Sequence, residues 1–234
     1  MTGTVIISSR FCGPADSGNG GYSCGVVASI LDGVAEVTLR RPPPLDRPIA
    51  LVRTGEGVQA MADGELVAEA RPAELNLEAP PAPSLQEAIE ASKRFLWREN
   101  HLYPRCFVCG PKRAPGDGLC IYPGAVEGRE VAAAPFTPDA TLCDAEGRLR
   151  PEMAWAALDC PSWFGFHCFN HFDGVVLLGR LAARIDALPR IGDRCISVGW
   201  SLGREGRKIH CAAALYAEGG PLLAMSRATW IVTK

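Results

Sequence analysis

Leu149-Arg-Pro-Glu-Met-Ala-Trp-Ala-Ala-Leu-Asp-Cys-Pro-Ser-Trp-Phe164 decides how the chain is read. The stretch is helix-length and apolar on nearly every side. A helix with one apolar stripe lies on a surface, whereas one that is apolar all round must be wrapped. Tyr22–Leu31 has the same character. Working outward, each segment leads into a run of β-rich stretches. The first run is Ala35–Leu39, Ile49–Thr54, Gly57–Ala62 and Glu65–Ala70, with the Asp63-Gly64 signal of a tight hairpin. The second is Val175–Ile185, Arg194–Leu202, Lys208–Ala217 and Leu222–Val232. Thr4–Ser8 precedes the first helix, and Gly118–Tyr122 and Glu130–Ala134 precede the second, as short strands. Ile196, Val198, Trp200 and Leu202 alternate with Ser197, Gly199 and Ser201, the period of a strand with one covered face. An antiparallel sheet curved around a central helix satisfies all of this, and it occurs twice. The expected class is α+β with an internal duplication.

Leu77-Glu-Ala-Pro-Pro-Ala-Pro83 separates the halves, because consecutive prolines propagate neither a helix nor a central strand. Ser84 and Glu87 then form a capping-box pattern, and Leu85, Ala88, Ile89, Ser92, Phe95 and Leu96 recur at helical spacing. The spacing predicts a helix of about 14 residues ending near Asn100. Residues 1–78 form an N-terminal unit, 79–104 a Pro-rich linker plus connecting helix, and 105–234 a C-terminal unit.

With 24 basic and 26 acidic residues and no run of five Lys or Arg, the chain is not expected to bind nucleic acid. No apolar stretch reaches the ~18–20 residues of a membrane span, and Met1–Arg10 lacks the pattern of a signal peptide, so no membrane association and a cytoplasmic location are expected. Ten cysteines, mostly single and in apolar context, read as small buried hydrophobes and not as a disulfide framework.

Cys106-Phe-Val-Cys-Gly-Pro111 followed by Gly118-Leu-Cys-Ile121 resembles the start of hotdog-fold thioesterase domains of the phenylacetate-pathway type. Gly18-Asn-Gly-Gly-Tyr22 before an apolar helix resembles the Gly-Gly-Tyr helix start of tandem-hotdog acyl-CoA thioesterases, and Leu39-Arg-Arg-Pro-Pro-Pro44 is similar to their Leu-Arg-Pro turn. The resemblance implies a double hotdog, two units each with a curved antiparallel sheet around a central helix. It also implies hydrolysis of a thioester, an acyl-CoA or a related substrate.

Such hydrolysis needs a polarised carbonyl and an activated water. Free N–H groups at a helix N-terminus serve the first need, and glycine lets a ligand approach them. Gly20 and Gly21 fit this role with Asn19 beside them; the plainer reading is a tight turn with Asn19 as N-cap. The resemblance further implies an acid eight positions after the helix-start glycine, on the opposing unit's helix. That offset from Gly20 reaches Ala28, which is no base; in the second half Asp159 has Pro151, which has no N–H, eight positions before it. The first half therefore has the polarising loop and the second the acid, so paired halves build one complete site and one dead one. Asp159 in an apolar run is costly to bury unless paired or functional, and burial raises its pKa toward that of a useful base. A capping role for Asp159 stands beside this. Glu152 is a secondary candidate.

Tyr22, Trp155, Trp163, Phe164 and His167 are candidates for lining the substrate pocket. Arg40, Arg41, Arg180 and Arg207 are candidates for CoA phosphates, or ordinary surface charges. His167 and His171 show no dense metal-ligand spacing. Cys106 and Cys109 supply two ligands where structural zinc needs four; His101 and Cys120 as completing ligands, a redox pair and plain packing stay open. No metal is assigned and no cofactor is expected. P-loop and dinucleotide patterns fail on spacing. A non-catalytic acyl or aromatic ligand-binding protein on the same scaffold is the alternative, and a hydratase ranks third. An outer sheet edge is free to pair a second copy as a homo-oligomer.

Overall fold

A computed structural model describes residues 3–233. Their strands are β1 (Gly3–Ile6), β2 (Ala35–Leu39), β3 (Pro48–Thr54), β4 (Gly57–Ala62), β5 (Glu65–Pro72), β6 (Gly124–Ala125), β7 (Ala132–Phe136), β8 (Val175–Ile185), β9 (Cys195–Glu205), β10 (Lys208–Ala217) and β11 (Leu222–Thr233). All pair antiparallel in one sheet, in the order β1-β3-β4-β5-β2-β8-β11-β10-β9-β7-β6. Strands from before residue 79 fill one end and those from after it fill the other. Their junction is β2 against β8, in the register Ala35↔Ala183 to Thr38↔Arg180.

Helix α1 (Gly20–Ala28) packs against β2, β4, β5 and β8, and α4 (Cys160–His167) against β7, β9, β10 and β11. Between them, α3 (Pro151–Ala157) packs on α1. The stretch expected as one helix from 149 to 164 is thus two, broken at Leu158-Asp159. The cause is Pro161: its ring would meet the carbonyl of Ala157, and it has no N–H to offer. The carbonyls freed at the break are satisfied from the sheet. Ser197 Oγ donates to Ala157 O and Ser226 Oγ to Leu158 O, both at 3.3 Å. Both serines are fully buried, where an unpaired carbonyl would cost about 1–3 kcal/mol.

This pairing settles which face of β9 turns inward. Ser197 and Gly199 face the helices, while Ile196, Val198 and Trp200 join a second core on the opposite face. That second core is covered by α2 (Leu85–Ser92), whose N-terminus has the full Ser84–Glu87 capping box, and by the Pro-rich segment, where Pro80 O accepts from Tyr216 Oη at 2.6 Å. The inner face carries the smaller residues because the helix backbone lies directly on it. A Cβ on Gly199 would sit 1.8 Å from Pro161 O, and one on Gly165 would sit 2.2 Å from Trp200 N.

Two further expectations differ. The connecting helix stops at Ser92, short of Asn100, because Phe95 and Trp97 turn inward onto Phe164. Gly118–Tyr122 is not a strand: Leu119 N and Ile121 N donate to Phe107 O and Val108 O, but Cys120 between them has φ 53° and kinks the run.

Gly199→Ala is expected to destabilise the protein by about 3 kcal/mol through overpacking against Pro161, read as a lower urea midpoint. A change within about 0.5 kcal/mol, the range of ordinary surface substitutions, would contradict this close approach.

Candidate active site

The break at Leu158-Asp159 positions the chemistry. Asp159 stands between α3 and α4, with its main-chain carbonyl accepting from Ser162 N at 2.9 Å and Ser162 Oγ at 2.7 Å. Its side chain makes no capping bond to α4. The carboxylate turns instead toward the start of α1. Oδ2 accepts from Asn19 Nδ2 at 2.8 Å and from Gly21 N at 2.9 Å. Asn19 is itself fixed, because its Oδ1 accepts from Tyr22 N at 2.9 Å as the N-cap of α1. One amide side chain therefore caps one helix and holds the acid that begins another.

Glycine at 21 is required by the chain's own packing. A Cβ there would lie 2.5 Å from Asp159 Cβ and 2.7 Å from Trp155 O, and one on Gly25 would lie 2.7 Å from Glu152 Cα. These two glycines, one helical turn apart, let α1 and α3 touch backbone to backbone in antiparallel sense. The Gly21 N–H expected to meet a ligand is consequently held by Asp159. Gly20 differs: among the described residues its N–H, in the first turn of α1, meets no acceptor.

Asp159 is 2% exposed and its Oδ1 has no hydrogen-bond partner among the described residues. Burial pushes its pKa up to about 7, the Gly21 N–H holds it down, the nearby Cys106 sulfur raises it, and the Asn19 amide lowers it. Since the folded value lies above the ordinary 3.8, the stabilising contribution of the protonated acid is complete below about pH 4 and is lost as pH rises through about 7.

Asp159, Asn19 and Gly20 line a cavity of about 250 Å³. Its walls are Val176 and Leu178 of β8, Trp230 and Ile231 of β11, and Cys106 and Cys160, and its rim includes Arg40 and Arg41. Arg40 pairs with Glu69, and Arg41 with Glu65 at 2.8 Å. Arg180 and Arg207 are not on the lining; Arg180 bonds Thr38 Oγ1 at 3.1 Å and Arg207 bonds Val232 O at 3.0 Å.

Five residues expected at the pocket wall lie elsewhere. Tyr22 stacks on Phe11 with centroids 4.0 Å apart, Trp155 packs against Gly25, and Trp163 and Phe164 belong to the core. His167 stacks on Trp163 at 5.2 Å and borders a separate groove with Leu96 and Phe169. Large aromatic side chains beside a wrapped helix are consumed in filling its surroundings. Glu152 pairs with Arg150 at 3.4 Å, off the cavity, and the exposed His171 pairs with Asp173 at 2.8 Å. The wall residues that sequence reasoning missed, Val176, Leu178 and Trp230, sit on β8 and β11, which pair with each other although far apart in the chain. Only their alternation along β8 and β11 hinted that they face one side.

No protein-family model matches this sequence, and no curated protein matches it. Solved structures do. The chain is similar to a conserved protein with a hot dog fold from Alicyclobacillus acidocaldarius, at a TM-score of 0.63 and 13% identity over 100% of this chain and 93% of that one. It is similar to the tesB protein of Mycobacterium avium subsp. paratuberculosis, at 0.60 and 13% over 100% and 93%. It is also similar to acyl-CoA thioesterase II TesB2 of Mycobacterium marinum, at 0.56 and 12% over 99% and 93%. The chain is an α+β protein of hotdog fold. No helix among the described residues is long and apolar enough to cross a membrane.

Asn19→Ala removes a bond to the ionised carboxylate and is expected to raise the Asp159 pKa above about 7. A carbon-13 NMR titration of the carboxyl group checks this. An unchanged or lower value would show that Asn19 does not hold the charge.

Proposed function

We propose that the chain hydrolyses a thioester, an acyl-CoA in the first instance, at one composite site between two hotdog units, residues 1–78 and 105–234. The observation that carries this reading is the convergence of Asp159 Oδ2 on Asn19 and Gly21, with Oδ1 and the Gly20 N–H unpartnered among the described residues and Asp159 and Gly20 lining the same cavity. The antiparallel run of α1 against α3 supports the single-site arrangement. It carries Ala28 toward the Pro151 end of α3, where Ala28 supplies no acid and Pro151 no N–H for a second copy, and Glu152 is paired with Arg150.

In this mechanism the ionised Asp159 takes a proton from a water as its oxygen attacks the thioester carbonyl carbon. The carbonyl oxygen becomes an oxyanion and accepts from Gly20 N–H at the positive end of α1; one such donor is worth ~3–4 kcal/mol. Collapse of the tetrahedral intermediate breaks the C–S bond, and the leaving thiolate receives the proton from Asp159. Asn19 keeps the carboxylate aligned. Arg40 and Arg41 at the rim suit CoA phosphates, and a cavity of about 250 Å³, below the ~300–1,000 Å³ of drug-sized pockets, suits a short or compact acyl group.

One observation favours a second reading, a non-catalytic acyl or aromatic binder: the Gly21 N–H is already engaged by the protein itself. Calorimetry beside a thiol-release assay separates the two, since a binder takes up acyl-CoA and releases no thiol.

Asp159→Asn is expected to keep the fold and lose ~10²–10⁴-fold in kcat, the usual contribution of a general base. The wild-type rate is expected to rise with pH through a midpoint near 7, because only the ionised acid accepts a proton, and the variant is expected to lack that limb. Wild-type turnover by Asp159→Asn rejects the assignment. Across a panel of acyl-CoA chain lengths, kcat/KM is expected to be highest for short or compact acyl groups, and a monotonic rise to long chains would refute the size argument.

A further inference from the structure

Beside Asp159 lies a group of side chains that the hydrolytic reading does not use. The sulfurs of Cys106, Cys109 and Cys160 all lie within 4.8 Å of one another, and Cys106 Sγ is 3.7 Å from Cys160 Sγ. A tetrahedral ion with ~2.3 Å bonds to sulfur separates its sulfur ligands by about 3.8 Å. All three thiols are buried, and Cys106 and Cys160 line the cavity. The third ligand was invisible to motif spacing, because Cys160 opens α4 at a distance of 54 residues from Cys106. Cys120 takes no part: its sulfur lies 3.7 Å from Ala114 O.

The surroundings are built for sulfur anions. Asn19 Nδ2 approaches the Cys106 sulfur at 3.8 Å. The Cys106–Cys109 turn requires glycine at 110, where a Cβ would lie 2.6 Å from both Cys106 N and Cys106 O. His101 Nε2 lies 3.3 Å from Cys109 Sγ, while His101 Nδ1 accepts from Tyr103 N at 2.9 Å. That bond leaves the proton of the neutral ring on Nε2, so His101 donates to the Cys109 sulfur and has no lone pair there for a metal. The other buried thiols offer a comparison within the same molecule: Cys24 and Cys211 sit in the apolar core, outside any such cluster.

We infer that Cys106, Cys109 and Cys160 form a binding site for a soft divalent cation, Zn²⁺, with His101 donating to the Cys109 thiolate and the fourth coordination position open to the cavity. Three protein ligands with one exchangeable position is the pattern of a reactive zinc site, not of a closed structural one. The inference stands on the thiols and their donors and is independent of whether Asp159 hydrolyses anything.

The test uses the full chain, purified under reducing conditions without chelators and desalted after addition of Zn²⁺. About one Zn²⁺ per chain is expected by elemental analysis, and substitution by Co²⁺ is expected to give a thiolate charge-transfer band and intense tetrahedral ligand-field bands. Cys160→Ser is expected to abolish stoichiometric retention, Cys211→Ser to leave it intact, and His101→Phe to weaken Zn²⁺ binding by about 10–100-fold. Added 2-mercaptoethanol is expected to shift the Co²⁺ bands by occupying the open position. Substoichiometric Zn²⁺ with octahedral Co²⁺ spectra in the wild type would overturn the inference whether or not any variant folds. A Cys106–Cys160 disulfide in the reduced, metal-treated protein would do the same. Unaltered Co²⁺ bands on thiol addition would overturn the open position.

Discussion

A carboxylate buried at the break between two helices accepts from an amide side chain and a backbone N–H some 140 residues earlier in the chain. In water that exchange would be nearly neutral; in a site almost without solvent an unpaired carboxylate is expensive, so the two donors fix where α1 must start relative to α4. Everything near the cavity is arranged around that constraint. Gly21 and Gly25 let the two helix backbones meet, Asn19 spends its oxygen on its own helix and its nitrogen on Asp159, and Gly20, whose N–H meets no acceptor among the described residues, lines the same cavity.

The break itself is held from the sheet. Pro161 forbids a continuous helix, and the two carbonyls it exposes meet the hydroxyls of Ser197 and Ser226. Small residues therefore line the inner face of β9, and bulk has moved to the outer face, where α2 and the Pro-rich segment cover it. This inverts the simplest reading of an alternating strand, in which the apolar side faces the principal core. Helix backbone in van der Waals contact with sheet backbone leaves room only for Ser and Gly.

Close approach also explains the chemistry crowded beside the acid. The same helix start that presents Asp159 presents Cys160 next to the Cys106–Cys109 turn, so a titratable oxygen and three sulfurs share one small region. Burial drives the Asp159 pKa up to about 7, whereas hydrogen bonds from the neighbouring thiols hold that of Cys106 well below the ordinary thiol range. Opposite shifts in adjacent groups mark a region organised by polar contacts within an apolar shell.

Much of the fold was legible in the residues alone. Strands β2, β4, β8 and β10 match their predicted bounds, the Ser84–Glu87 cap reads from spacing, and two helices without a polar face announced that a sheet must enclose them. The pairing of an Asn-Gly-Gly helix start with a lone acid in a distant apolar run was readable as complementarity between halves. These features rest on local periodicity and on chemistry that a residue carries with it. Tertiary structure alone decided the rest: that the second helix breaks where the chain passes Pro161, that aromatic side chains near Asp159 fill the core while Val176, Leu178 and Trp230 form the wall, and that Cys160 completes a cluster begun at Cys106. Periodicity states that a side chain faces one side of its element. It does not state what that side meets, because the partner is set by backbone separations between segments far apart in the chain.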